Sequence, residues 1–147
     1  MVQKHEMTAD FEQLSYSSEM LMNAWDGVSE TYEELRYSNF ASNELYEFVN
    51  WIRKTTLSQL LFPGISLGQL LISKSDEHGR LNYQKTLKIG LNQQTGNYDF
   101  SYSDWDLIRE GSDWGKAIVW AKSCQTDQLR NCFEEFLAWK PEWDNRC

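Results

Sequence analysis

An α+β fold with helices gathered on one side of a small antiparallel sheet is predicted by three observations. Apolar residues recur at helical spacing toward both ends of the chain, and they alternate at a period of two through its middle. The chain has 147 residues, 41% hydrophobic and 14% aromatic, which suits a single core because domains of about 100 to 150 residues are the commonest size class. The expected architecture is one α+β domain over residues 1–147, with an N-terminal helical hairpin, a three-stranded antiparallel meander and two C-terminal helices packed on the sheet.

The first helix is expected from about Ser17 to Tyr37, where Leu21, Trp25, Val28, Tyr32 and Leu35 form one apolar stripe. Ser17 is its expected N-cap, and Gly27 weakens it by about 1 kcal/mol relative to Ala. A second helix should begin near Ser42, with Leu45, Phe48, Val49, Ile52 and Thr56 facing inward, and stop at Pro63-Gly64. Period-two alternation then takes over. Ile65 to Lys74 reads as one strand ending in the polar turn Asp76-Glu77-His78-Gly79, Arg80 to Leu91 as the next, and Tyr98 to Ser103 as the third. Beyond it, Ser112 should cap a helix over Asp113 to Ser123. Thr126 should cap a last helix to Trp139, with Leu129, Cys132, Phe133, Phe136 and Leu137 inside and Pro141 closing it. Trp25, Trp120 and Trp139 are assigned to the core.

Composition narrows the function classes. No apolar run reaches the roughly 20 residues of a membrane-spanning helix, and Met1 to Asp10 is too polar for a signal peptide, so a cytoplasmic protein starting at Met1 is expected. Three cysteines, Cys124, Cys132 and Cys147, match no common zinc spacing and are read as reduced thiols, with a Cys124–Cys132 disulfide as the alternative. Cys132, at helical core spacing, is read as a small buried hydrophobe. The two histidines, His5 and His78, sit in a terminal segment and a charged turn, unsuited to a catalytic base. No nucleophile elbow or phosphate loop occurs. Asp99, Asp104, Asp106, Glu110 and Asp113 lack the glycine and closing glutamate of an EF-hand and are assigned to turns and caps. The expected protein is not an enzyme and has no cofactor and no metal.

Charge is distributed unevenly. Residues 1–50 carry ten acids and two bases, while residues 51–147 carry twelve of each, so the whole net charge of −8 belongs to the first third. Such a surface repels nucleic acid, whose phosphates need clustered Lys and Arg, and attracts a basic protein. The candidate partner-binding residues are Glu19, Asp26, Glu30, Glu33, Glu34, Tyr37, Glu44, Glu47 and Trp51. They combine acidic groups for steering with Tyr and Trp as anchors.

A short, acidic α+β chain with acidic helices and no catalytic signature resembles, in overall type, the immunity proteins that bacteria make against their own toxins, including those of contact-dependent and secretion-delivered systems. The resemblance implies an inhibitor that binds a toxin domain, often a basic nuclease, and neutralises it. It carries no residue roles with it. Two alternatives are a nucleic-acid mimic that inhibits a DNA-binding protein and a small enzyme or ligand-binding domain. Acids confined to one third of the chain weaken the mimic.

Overall fold

The computed structural model describes residues 2–35, 43–107 and 114–146. Its elements are α1 (Val2–Leu35), α2 (Asn43–Arg53), β1 (Leu61–Ser66), β2 (Gln69–Lys74), β3 (Lys85–Leu91), β4 (Tyr98–Asp104), β5 (Ile118–Cys124) and α3 (Leu129–Trp139), with short 3-10 turns between them. The fold is α+β, but the sheet has five strands in the order β1-β2-β3-β4-β5, every neighbouring pair antiparallel. The expected three-stranded meander and matched N-terminal hairpin are thereby corrected. A 34-residue helix and an 11-residue helix lie at the start, and a single α-helix follows the sheet.

Each difference has a local cause. No Pro or Gly interrupts residues 2–17, so the helix begins at Val2 and Ser17 lies inside it, not at its start. Helix α2 ends at Arg53, ten residues before Pro63, and Thr56 belongs to a 3-10 turn capped by Thr55. Pro63 and Gly64 instead lie inside β1, an edge strand, where a missing N–H is tolerated. The expected strand from Ile65 to Lys74 is a hairpin. Leu67 and Gly68 form its two-residue loop with φ of 53° and 80°, the left-handed pair of a type I′ turn. Residues 118–124 pair with β4 where a helix was expected, because β-branched and aromatic Ile118, Val119 and Trp120 suit a pleated edge. Ser42, Ser112 and Asp113 lie outside the described residues. Thr126 starts a 3-10 turn that leads into α3 with no side-chain cap.

The helices cover one face of the sheet. Leu70, Ile72, Leu87, Ile89, Tyr98, Phe100 and Tyr102 point to them, and Leu21, Trp25, Val28, Tyr32, Leu45, Phe48, Val49 and Ile52 answer from α1 and α2. Two buried aromatic side chains tie α1 to the β1 edge without leaving a polar atom stranded. Trp25 Nε1 donates to the Leu61 carbonyl at 2.8 Å, and the Tyr32 hydroxyl donates to the Gly68 carbonyl at 3.0 Å. Helix α3 buries Leu129, Cys132, Phe133, Phe136 and Leu137, the five positions its spacing marks as inner. Trp25 is buried, but Trp120 is half-buried on β5 and Trp139 is 46% exposed, its ring edge-on to Tyr102 and tilted against Phe136 and Trp120. On the opposite face, residues 75–84 fold back over Leu71, Ser73 and Thr86. There the Asn82 N–H donates to Ser73 Oγ and Thr86 Oγ1 donates to the Asn82 carbonyl.

Leu67 is 95% exposed and holds a backbone conformation that costs a branched L-residue about 1 kcal/mol. Leu67→Asn, which restores an Asn-Gly turn and removes no packing, should raise the free energy of unfolding by about that amount; urea titration of the two chains measures it.

Candidate acidic groove and its flanking surface

Helix α2 is laid between α1 and α3, and its three sides do different work. Leu45, Val49 and Ile52 are buried on its inner side, and Phe48, buried beside them, turns to Phe133 of α3. One flank meets α1, where Arg53 donates to Asp26 Oδ1 at 2.5 Å, to Asn50 Oδ1 and to Ser29 Oγ. The Ser29 hydroxyl in turn donates to Asn50 Oδ1. The other flank, one helical side away, carries Glu44, Glu47 and Trp51 toward α3.

Between α2 and the start of α3 lies a groove of about 310 Å³. Trp51 is half-buried and forms its floor, with Phe48 and Phe133 against the ring at centroid distances of 6.0 and 6.3 Å. Glu44, Glu47 and Asp127 line its rim, all exposed. Arg130 stands with its guanidinium carbon 4.6 Å from the Trp51 centroid, and Arg146 at 5.7 Å. Arg146 is held in place. It grips both carboxylate oxygens of Glu134 and both of Asp144. Arg130 enters no ion pair among the described residues, and it rests on the indole face through a cation–π contact worth about 0.5 to 1 kcal/mol. The groove is thus an indole floor with an acidic rim and one cation lightly placed on it.

Sequence reasoning put nine residues in one surface, and the structure divides them. On α1, Glu19, Asp26, Glu30 and Glu33 fall within about 60° of arc at 100° per residue, with Glu34 further round. All five are exposed, and Asp26 is engaged by Arg53. Glu44, Glu47 and Trp51 come together in the groove on the far side of α2, and Tyr37 lies outside the described residues. Trp51 serves both readings at once, packed inward and open at its edge. Asp127, Arg130 and Arg146 went unnoticed in the sequence. Their link to Trp51 depends on the turn at 126–128 and on the chain returning past α3, and neither leaves a local pattern.

Ion pairing follows the division of charge. Lys85–Asp106, Lys122–Glu135, Lys140–Glu142 and Arg146 with Glu134 and Asp144 all join groups within residues 51–147. Among the described residues, Glu19, Glu30, Glu33, Glu34, Glu44 and Glu47 enter no ion pair, and Asp26–Arg53 is the one bridge from the acidic third. A larger hollow of about 460 Å³ lies along the α1 flank, but its rim includes Arg53 and Lys54 and is not acidic. His78 is exposed beside Glu77, and Asp104 accepts from the Asp106 N–H, the turn role assigned to it. Among the described residues, no group of three or more His, Cys, Asp or Glu is arranged to hold a metal ion, and no helix is long and apolar enough to cross a membrane. Comparison with known proteins finds no matching family model, no matching curated protein and no matching solved structure.

The wall behind Trp51 is pH-dependent. Hydrogen bonds from Arg146 hold the Asp144 carboxyl below the usual carboxylate range. A folded pKa below the unfolded one stabilises the fold fully above about pH 4 and is lost as pH falls through the folded value. Arg146→Ala should lower unfolding free energy at pH 7 by about 1 to 2 kcal/mol, since the network is only partly buried, and should shrink the difference between the two chains at pH 3. Denaturant titrations at both pH values check this.

Proposed function

We propose that this chain is a binding inhibitor of the immunity type, which neutralises a basic protein partner, a toxin domain, through the acidic surface of α1 and α2. The observation that carries the reading is where the ion pairs fall: five acids of residues 51–147, Asp106, Glu134, Glu135, Glu142 and Asp144, are bridged to Lys or Arg of the same segment, while six glutamates of α1 and α2 remain without an ion pair among the described residues. Uncompensated charge on one surface steers an oppositely charged protein and raises the association rate by about 10 to 10³. The groove beside Trp51 adds an anchor. A Lys or Arg of the partner can lie on the indole between Glu44, Glu47 and Asp127, taking the place that Arg130 holds weakly.

The test is affinity capture from the native host followed by association kinetics on the recovered partner. A chain carrying Glu30→Lys, Glu33→Lys, Glu44→Lys and Glu47→Lys should associate at least about tenfold more slowly at low salt, with a flatter dependence on ionic strength. A Glu77→Lys control in the turn after β2 should behave as the parent. An unchanged on-rate and salt dependence in the fourfold variant overturns the acidic-surface reading. Excess duplex DNA should leave the complex intact; displacement by DNA would mark the chain as a nucleic-acid mimic instead.

A further inference from the structure

Two thiols meet where the last strand joins the last helix. Cys124 ends β5 opposite Tyr98, on the side of the strand that also sends Trp120 and Lys122 to the helices. Cys132 lies on the inner face of α3, and the turn at 126–128 brings α3 back onto β5, so that Cys124 packs against the core cluster that holds Cys132 and each thiol perturbs the other. Both are free thiols, Cys124 half-buried and Cys132 only 2% exposed.

We propose that Cys124 and Cys132 are a reversible oxidation site, at which a low-molecular-weight disulfide such as oxidised glutathione converts the two thiols into a bond that staples β5 to α3. The order of events follows from exposure. The Cys124 thiolate, which solvent can reach, attacks one sulfur of the reagent disulfide; its S–S bond breaks and one thiolate leaves. Cys132 then loses its proton and attacks Cys124 Sγ in the mixed disulfide, releasing the second thiolate. The protein gives up two protons and two electrons, and the reagent disulfide is reduced to two thiols.

The surroundings make this a slow site, not an inert one. Burial pushes both thiols up, Cys132 to about 12. Lys122 favours the thiolate at each, while Asp99 and Asp127 oppose it at Cys124 and Glu135 opposes it at Cys132. With both groups protonated at neutral pH, the rate tracks the thiolate fraction and should rise about tenfold per pH unit from pH 7 to pH 8.

The experiment uses the full chain carrying Cys147→Ser, incubated with oxidised glutathione and followed by intact mass and peptide mapping. The expected result is loss of the mass of two hydrogen atoms, a single Cys124–Cys132 link, an unchanged far-UV circular dichroism spectrum, a higher thermal midpoint and reversal by a reducing thiol. Adding Cys132→Ser should stop the reaction at one glutathionyl group on Cys124, and adding Cys124→Ser should abolish reaction of the folded chain. A stable glutathionyl adduct on Cys124 with Cys132 still free, closure accompanied by loss of the native spectrum, or no reaction of the folded chain while the denatured chain closes would each overturn the proposal.

Discussion

The aromatic face of α3 is the contact on which the other elements depend. Phe133 packs edge-on against Phe48 at 5.5 Å and against Trp51, and so holds α2. Phe136, one turn on, meets Tyr102 of β4, Trp120 of β5 and Trp143 beyond the helix at 5.2 to 5.5 Å. Each such pair contributes about 0.5 to 1.5 kcal/mol beyond the area it buries, whereas the exposed ion pairs around it contribute about 0 to 1 kcal/mol. Packing, not charge, therefore fixes where α2 lies. The groove beside Trp51 is a consequence of that placement, because Phe133 stops the indole from sinking fully into the core.

Freed from holding the fold together, the N-terminal charge can serve another end. Helix α1 is attached through Trp25, Tyr32 and its apolar stripe, all on one side. Glu19, Glu30, Glu33 and Glu34 lie on the remaining surface, where their removal costs the fold little. In the sheet half the opposite holds. Lys122 links β5 to Glu135 of α3, and Arg146 links the chain end to Glu134, so acids and bases there act as local struts. A charge excess with no structural task is what a steering surface requires.

Much of the helical part was legible because its signal is local. The inner residues of α2 and α3, and Leu21, Trp25, Val28 and Tyr32 of α1, follow from spacing alone. Period two likewise marks β4 through Tyr98, Phe100 and Tyr102. The sheet's ends were not legible. Leu67 looks like a strand residue yet turns the chain, since only Gly68 of that loop announces a turn. Residues 118–124 show little buried face, as an edge strand does, so no inward alternation marks them as a strand in spite of Ile118, Val119 and Trp120. Of the candidate site, Glu44, Glu47 and Trp51 were grouped correctly by helical spacing. The separation of the α1 glutamates from them, and the arrival of Arg130 and Arg146 at Trp51, depend on how three helices share one sheet and have no sequence period.

The central claim is that the glutamates of α1 and α2 form the binding surface. Carbodiimide labelling of carboxylates, read by mass spectrometry with and without the captured partner, addresses those side chains directly. Labelling of Glu30, Glu33, Glu44 and Glu47 should fall on complex formation, while Glu77 and Asp99 label as in the free chain. Unchanged labelling of the four glutamates, with protection instead on the sheet side at Asp99 or Glu77, would contradict the account.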